Sequence, residues 1–196
     1  NDVAIEILYS GVCHSDWHVI KGDFPHIATP LVLGHEGSGI VESTGTGVTY
    51  VQPGDHVILS WKGGCGRCEM CHQGWPGVCA AMPAVASLPR ISGTNNEINQ
   101  MVGLGTFGTY TVVPENAVVS IDKDIPFPQA ALVGCSVTTG VSGAINAGNV
   151  QPGTTVAVFG CGGVGLNVIQ GCVIAGATTI IAVDLLDNKL ELATQF

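Results

Sequence analysis

The chain has 196 residues, of which 15 are acidic and six are basic, so its formal net charge is −9 at pH 7. This balance argues against nucleic acid as a partner, because nucleic-acid-binding proteins present a basic face. The mean hydropathy is positive, yet no uninterrupted apolar run reaches the roughly 18 residues of a membrane span, and we expect no membrane partner. The length allows a sizeable core in one domain or two small ones.

The first predicted elements are a strand and a short helix that carries many reactive side chains. Val3–Leu8 is rich in β-formers and is predicted to be a strand. Ser15 is a predicted N-cap for a helix that ends at Gly22. A thiol, two imidazoles, a hydroxyl and a carboxylate fall within six residues at the start of this helix: Cys13, His14, Ser15, Asp16 and His18.

Two further residues complete a set of metal-ligand types with Cys13. His35 lies in a Gly-His-Glu-Gly motif, and Cys135 lies in a Gly-Cys-Ser motif. Two thiolates and one imidazole are a Cys₂His set, in which three protein ligands leave the fourth position of a catalytic zinc open. Any one of these residues alone is more often a buried thiol or a satisfied histidine, so the prediction depends on all three together.

Short strands separated by Gly and Pro follow the first motif. Ile40–Thr44 and His56–Ser60 are predicted strands, with the turn Gln52–Asp55 between them. This pattern predicts a compact, β-barrel-like domain. The histidines at positions 26, 56 and 72 are assigned no chemistry.

Four of the eight cysteines fall within fifteen residues at the spacing C-x₂-C-x₂-C-x₇-C, namely Cys65, Cys68, Cys71 and Cys79. Such close spacing suits tetrahedral ligation better than disulfide bridging, and four thiolates describe a closed, structural zinc site. The site would stabilise a lobe at residues 63–79 that has little apolar surface to bury. This cysteine usage also favours a reducing, cytoplasmic location.

The middle of the chain carries little chemistry apart from Cys135. Ala80–Gly105 has the composition of a loop, and strands are predicted at Phe107–Val113 and Val118–Ile121. A helical stretch begins at Phe127 and continues to Gly148, which is predicted to be a C′ glycine.

The last third of the chain has the pattern of a dinucleotide-binding unit. A predicted strand at Thr155–Phe159 leads into a glycine-rich turn and a helix to about Ala175, and a second strand at Thr179–Val183 ends in Asp184. In this context the turn is the dinucleotide fingerprint. Asp184, the acidic residue of this fingerprint, favours NAD over NADP because its carboxylate repels a 2′-phosphate. The predicted turn contacts are Gly160, Gly162, Gly163, Val164 and Gly165.

Together these motifs resemble the zinc-dependent alcohol dehydrogenases of the medium-chain dehydrogenase/reductase superfamily. The resemblance implies an α/β plus β fold, with a GroES-like β-barrel-type catalytic domain at 1–136 and the first part of a Rossmann domain at 137–196. It implies two Zn²⁺ per subunit, NAD, a small-molecule alcohol or aldehyde substrate and a homo-oligomer, either dimer or tetramer. Because family members are nearly twice this long, we expect both ends of the chain to lie within a longer protein.

The resemblance also implies a reaction, in which hydride passes to the nicotinamide from a zinc-bound alkoxide. The alkoxide would be that of a small primary or an aromatic alcohol. Ser15 would take the proton from the alcohol oxygen as the alkoxide forms, and His18 would hand it to solvent. Asp16 would orient His35, and Glu36 would lie close to the metal. Coenzyme contacts are implied for His14, Thr139, Asp184 and Lys189, and a substrate-pocket position for Phe24 and Trp61.

Other classes of protein share some of these motifs and are alternatives to this family. Glutathione-dependent formaldehyde dehydrogenases usually carry Thr and Tyr in place of Ser15 and His18, and polyol dehydrogenases often carry Glu in place of Cys135. Both subgroups fit less well. A zinc-free quinone-reductase relative is disfavoured by the zinc ligands, and a zinc-stapled structural or binding module without turnover is the remaining alternative.

Overall fold

The structure is a computed structural model that describes residues 1–61, 63–81, 91 and 98–196. These residues divide into two units, Asn1–Gly134 and Cys135–Phe196. The predicted domain boundary, between residues 136 and 137, lies two residues further along the chain. Each unit contains its own cluster of buried apolar side chains.

The first unit is built on an antiparallel sheet. Its strands are β1 (Asp2–Gly11), β2 (Leu31–Val32), β3 (Glu36–Thr44), β4 (His56–Leu59), β5 (Asn99–Gln100), β6 (Tyr110–Pro114) and β7 (Val118–Ser120). Five of them form one sheet in the order β6-β1-β3-β4-β7, while β2 and β5 form a separate parallel pair. Val3 and Ile5 alternate with more exposed neighbours and are fully buried, so one face of β1 lies on the core.

Within the described residues, the first unit also contains three α-helices and three single 3₁₀ turns. They are α1 (His14–Lys21), α2 (Glu69–His72), α3 (Phe127–Leu132) and the turns Pro76–Val78, Met101–Gly103 and Glu115–Ala117. Helix α1 ends as predicted, because Gly22 follows it with the left-handed φ of 79°. The predicted N-cap was wrong: Cys13 has the extended backbone of the N-cap, and Ser15 lies inside the first turn.

Some predicted strand ends were also wrong. Strand β3 starts at Glu36 rather than Ile40, because Glu36 to Gly39 already pair with β1. Strand β6 starts at Tyr110 rather than Phe107. In the predicted loop from Ala80 to Gly105, residues 82–90 and 92–97 lie outside the described residues. Its described part contains β5 and the 3₁₀ turn Met101–Gly103.

The second unit has a βαβ arrangement. It contains α4 (Thr138–Ser142), β8 (Thr155–Phe159), α5 (Gly163–Ile174), β9 (Thr179–Val183) and α6 (Asp187–Ala193). Both strands have the predicted bounds, and they pair in parallel. The predicted C′ role of Gly148 was wrong, because its φ is −77° and the next residue, Asn149, takes the left-handed φ of 46°.

By length and composition alone, the helical stretch Phe127–Ala147 could cross a membrane. It is not the uninterrupted apolar run considered in the sequence, because it contains Gln129, Ser136 and Asn146. Core helices of soluble proteins satisfy the same criterion. Since the stretch also contains the predicted metal ligand Cys135, we do not assign it to a membrane.

Candidate active site

The start of helix α1 is joined to the His35 segment by one buried carboxylate. Asp16 is 2% exposed; its Oδ2 accepts the backbone N–H of Cys13 at 3.0 Å, and its Oδ1 accepts that of Gly34 at 2.9 Å. Burying a charged group is costly unless it is hydrogen-bonded. Asp16 therefore fixes the two predicted ligand segments against each other.

The imidazole of His35 lies next to the same carboxylate. His35 is 2% exposed, and its Nδ1 is 3.6 Å from Asp16 Oδ1. Among the described residues this buried Nδ1 has no hydrogen-bond partner. A metal-bound histidine commonly has a carboxylate at its second ring nitrogen, and the observed neighbour of His35 is the one that the sequence assigned to it.

Glycines allow the His35–Glu36 segment to approach its neighbours closely. Gly34 has a φ of +91°, and its carbonyl accepts the N–H of Thr106 at 3.0 Å. Gly11 pairs with Glu36 across β1 and β3, and a Cβ at position 11 would overlap Glu36 Oε2. The buried Glu36 carboxylate therefore lies directly over the Cα of Gly11.

The ligand atoms of Cys13, His35, Glu36 and Cys135 all lie within 4.8 Å of one another. Cys135 directly follows Gly134, which is the last residue of the first unit. A Cβ at Gly134 would overlap the carbonyl oxygen of Leu59, so the backbone lies close to β4 at this point. Ligands at zinc distances of about 2.0–2.3 Å in a tetrahedron are roughly 3.3–3.8 Å apart. Two thiols, an imidazole and a carboxylate in this volume fit a zinc ion.

The predicted proton-relay residues lie on α1 beside this centre. Ser15 Oγ is 3.7 Å from Cys13 Sγ. The side chain of His18 is 43% exposed, and its Nδ1 is 2.7 Å from Asp23 Oδ2. The ring of His14 is 5.3 Å from that of His18. The helix thus carries a hydroxyl near the ligands and an imidazole that is open to solvent.

The two predicted substrate-pocket aromatics lie in different surroundings. Phe24 is 37% exposed and contacts the rings of His18, at 5.6 Å, and His26, at 6.0 Å. Trp61 is partly buried and packs against the core of the first unit.

The four-cysteine lobe has the geometry of a closed metal site. The sulfur atoms of Cys65, Cys68, Cys71 and Cys79 all lie within 4.8 Å of one another. Cys68 Sγ is 3.5 Å from Cys71 Sγ and 3.9 Å from Cys79 Sγ. Four thiols so arranged fit a tetrahedral structural zinc.

Backbone hydrogen bonds in the lobe favour thiolates. The N–H groups of Cys71 and Ala80 lower the pKa of Cys68 to about 6. The N–H groups of Cys65 and Ala81 lower the pKa of Cys79. Desolvation raises the pKa of Cys71 to about 11. Cys68 and Cys79 therefore lose their protons more readily than an isolated thiol, whereas Cys71 holds its proton more tightly. Metal ligation requires the deprotonated sulfur.

The glycine-rich turn of the second unit joins β8 to α5. Gly160 has a φ of +91°, and a Cβ at Gly165 would overlap the carbonyl oxygen of Gly160. A Cβ at Gly162 or Gly163 would meet nothing within 4 Å, so this part of the backbone is open to a ligand. Val164, in the first turn of α5, is 45% exposed. The open turn at a helix N-terminus suits a pyrophosphate.

Asp184 follows β9 and is tied to this turn. Its Oδ2 accepts the N–H of Cys161 at 2.7 Å, and its Oδ1 accepts that of Leu186 at 3.1 Å. These bonds lower the pKa of Asp184, so the carboxylate is ionised. Lys189 Nζ is 3.9 Å from Oδ2. Thr139, the remaining predicted coenzyme contact, lies on α4 and is exposed.

Sequence reasoning missed two residues that shape the site. The Asp23 carboxylate is hydrogen-bonded to the ring of His18. Because Gly11 has no Cβ, the Glu36 carboxylate has room to lie against it. A signal for Asp23 was available, since an acid directly after a C′ glycine lies beside the last helical turn. The role of Gly11 depends on the register of β1 and β3, which the sequence does not reveal.

A family model described as the alcohol dehydrogenase GroES-like domain matches residues 1–123. The chain is 45% identical to S-(hydroxymethyl)glutathione dehydrogenase of Saccharomyces cerevisiae, an alignment that covers 100% of this chain and 53% of that protein. It is 40% identical to alcohol dehydrogenase class-3 of Pisum sativum, which covers 100% of this chain and 54% of the relative. The chain therefore belongs to the zinc-dependent alcohol dehydrogenase family with a GroES-like domain, as its motifs predicted.

Solved structures agree with this assignment. Benzyl alcohol dehydrogenase of Acinetobacter calcoaceticus is 38% identical, with a TM-score of 0.89 over 99% of this chain and 54% of that one. An alcohol dehydrogenase zinc-binding domain protein of Burkholderia ambifaria is 32% identical, with a TM-score of 0.91 and the same coverage. The chain spans about half the length of the curated relatives that it matches.

Proposed function

We propose that the intact protein is a zinc-dependent, NAD-linked dehydrogenase that reversibly oxidises a primary alcohol to the aldehyde. The observation that supports this most directly is the group of donors formed by Cys13, His35, Glu36 and Cys135. Three of them are the Cys₂His set of a catalytic zinc with an open position. The open glycine turn of the second unit supports the coenzyme assignment.

In this proposal Cys13, His35 and Cys135 would hold the catalytic zinc, which when bound supplies a Lewis acid that lowers the pKa of an attached oxygen. Asp16 would orient the His35 ring through its carboxylate, which lies beside the ring nitrogen Nδ1. Glu36 adds a carboxylate to the same group of donors. A second zinc in the four-cysteine lobe would be structural, giving two Zn²⁺ per subunit.

Ser15 and His18 carry the proton in this proposal. Ser15 Oγ lies within 3.7 Å of a ligand sulfur, so a hydroxyl stands beside the donors to accept a proton from the substrate oxygen. His18 is exposed enough to exchange that proton with water. The transfer therefore runs from the interior toward the surface of α1.

The coenzyme proposal uses the second unit together with His14. The Gly160–Gly165 turn would take the pyrophosphate, with Thr139 and His14 nearby in the family arrangement. Asp184 would accept hydrogen bonds from the adenosine ribose, and Lys189 would also contact the ribose. The ionised Asp184 supports NAD over NADP, because its charge opposes that of a 2′-phosphate.

Two substrates are candidates. The benzyl alcohol dehydrogenase neighbour favours a primary alcohol of the aromatic kind. The S-(hydroxymethyl)glutathione dehydrogenase relatives favour the glutathione adduct of formaldehyde, although Ser15 and His18 depart from the residues usual in that subgroup. We place the simple alcohol first because those two residues lie in the relay itself.

The remaining properties follow the same family pattern. We propose a small-molecule substrate, a homo-oligomer of two or four subunits and a cytoplasmic location. The support is compositional: eight cysteines that include a four-thiol cluster suit a reducing compartment, and the net charge of −9 opposes nucleic-acid binding.

The test is NADH formation by the intact, zinc-loaded protein. Benzyl alcohol, a short aliphatic primary alcohol, and formaldehyde with glutathione would each be supplied with NAD and with NADP. We expect NAD reduction with one of the simple alcohols. Turnover with only the glutathione adduct would select the second candidate, while no turnover in protein holding two zinc ions would favour the non-catalytic module.

A further inference from the structure

Asp23 makes two contacts with His18 just beyond the end of helix α1. Its carboxylate Oδ2 lies 2.7 Å from His18 Nδ1, and its backbone N–H donates to the His18 carbonyl at 2.9 Å. The left-handed Gly22, with a φ of 79°, turns the chain back over the last helical turn and makes both contacts possible. Lys21 Nζ, 3.7 Å from the same carboxylate oxygen, partly balances its charge.

An ionised carboxylate can only accept hydrogen bonds. At 2.7 Å from Asp23, Nδ1 of His18 must therefore carry the proton and donate it. The rings of His14 and Phe24 are neighbours of the imidazole, with ring centroids 5.3 Å and 5.6 Å away. Nε2 is left as the ring nitrogen with a free lone pair.

We propose that Asp23 is a positioning residue, which holds His18 in the Nδ1–H form so that Nε2 both accepts and releases the transferred proton. The inference rests on the proposed relay from Ser15 to His18. The neutral ring takes a proton at Nε2 and becomes an imidazolium with both nitrogens protonated. Nε2 then returns that proton to water or buffer, and Nδ1–H remains bonded to Asp23 throughout.

The tautomer gives a test that does not depend on turnover. Long-range ¹H–¹⁵N spectra of the intact protein, at a pH where His18 is neutral, distinguish a protonated Nδ1 from a protonated Nε2. We expect Nδ1–H in the wild type and a shift toward Nε2–H in Asp23→Ala. Asp23→Glu, which keeps a carboxylate within reach, should restore Nδ1–H, and the control Lys21→Met should retain it.

Alcohol oxidation provides the second measurement. Asp23→Ala should lower kcat by about threefold to tenfold, because only the tautomer balance changes whereas general acid–base catalysis as a whole is worth about 10²–10⁴-fold. The KM for NAD and the unfolding temperature should stay unchanged. Imidazole buffer should restore part of the rate, and Asp23→Glu should restore most of it.

The failures of this inference and of the relay can be told apart. If His18→Ala slows turnover while Asp23→Ala changes neither the tautomer nor kcat, the role of Asp23 is wrong and the relay stands. A changed tautomer with unchanged kcat also overturns that role, because the contact then has no effect on proton transfer. If His18→Ala itself leaves turnover unchanged, the relay of the proposed function fails.

Discussion

At the scale of single residues, Gly11 is the position where one added methyl group should disturb the proposed catalytic metal centre. A Cβ there would overlap Glu36 Oε2 and lie 2.9 Å from Leu132 Cδ2. Gly11→Ala should displace the Glu36 carboxylate and reduce zinc affinity at the Cys13–His35–Cys135 site by about 10–100-fold, the range for groups that support metal ligands. Chelator competition on the zinc-loaded protein measures this change.

Gly143→Ala is the matched control. A Cβ at Gly143 would have Val168 Cγ2 as its nearest neighbour, at the ordinary contact distance of 3.7 Å. We expect the control to bind zinc like the wild type. Equal zinc affinity in Gly11→Ala and Gly143→Ala would show that the position of Glu36 does not affect the metal site.

Asp184 is the residue that should decide the choice of coenzyme. Its ionised carboxylate is held by the N–H groups of Cys161 and Leu186. Asp184→Ser removes the charge that opposes a 2′-phosphate, so the ratio of kcat/KM for NADP to that for NAD should rise about tenfold or more. Asp187→Ser, three residues further along, is a control that should leave this ratio unchanged. A wild type that already uses both coenzymes equally would contradict the prediction.

Glu115 should make stability depend on pH in the acid range. Its Oε1 accepts the N–H groups of Thr49, at 2.7 Å, and Tyr50, at 2.6 Å, and these bonds lower its pKa below the ordinary 4.5. A lowered folded-state pKa gives stability that is present above pH 4.5 and is lost as the pH falls through the lower folded value. Glu115→Gln should therefore be less stable than the wild type near neutral pH.

Urea unfolding of the wild type and Glu115→Gln, at neutral pH and at successive acid pH values, measures the difference. Comparing the two proteins at each pH cancels the effect of acid on the metal sites, which they share. The difference in the free energy of unfolding should shrink as the pH falls below 4.5. A difference that is constant with pH would mean that these hydrogen bonds do not depend on the charge of Glu115.

At the scale of elements, the four-cysteine lobe consists of short elements that bury too little side-chain surface to be stable on their own. Helix α2 has four residues and no buried side chain, and the following 3₁₀ turn has none either. Cys68→Ser removes one ligand, so the lobe should lose its zinc and the unfolding temperature should fall by several degrees. Gln73→Ala, on the exposed surface of the same lobe, is the control and should keep both zinc content and unfolding temperature.

The elements also show how far a sequence can predict this fold. Strands β8 and β9 were predicted to the residue because each is a β-branched run closed by a turn. The pair β2–β5 was missed, since two-residue strands carry no periodic signal and Leu31 meets Asn99 only through distant pairing. The start of β3 was missed for a similar reason, because its glycines pair with β1 although glycine disfavours strands.

The candidate metal sites were predictable because ligand chemistry restricts the residue types more strongly than strand formation does. Cys13, His35 and Cys135 were recognised by type and local motif, and the structure brings their ligand atoms together. The N-cap of α1 was not predictable in the same way. The Asp16 carboxylate accepts a hydrogen bond from the backbone N–H of Cys13. Helix α1 therefore starts at His14, one residue before Ser15, which N-cap preferences select.

At the scale of the whole molecule, the two apolar clusters belong to different units, and we propose different tasks for the two candidate zinc sites. Buried Leu59 and Val113 belong to the first cluster, and buried Ile169 and Cys172 to the second. We predict two zinc ions per intact subunit. Cys135→Ser should retain the structural zinc and the wild-type unfolding temperature but lose turnover, whereas Cys68→Ser should lose zinc and stability together.

Zinc analysis, thermal unfolding and NADH formation on the same preparations measure all three properties. The expected asymmetry follows from the donor sets. Four thiols would close the proposed structural site, while three ligands and a neighbouring carboxylate would leave the proposed catalytic site open. Because units with separate cores need not unfold together, Cys68→Ser should shift the unfolding of the first unit and spare that of the second. A single tightly bound zinc in stable, active wild-type protein would contradict the two-site assignment, and equal loss of stability in both variants would contradict the division of tasks.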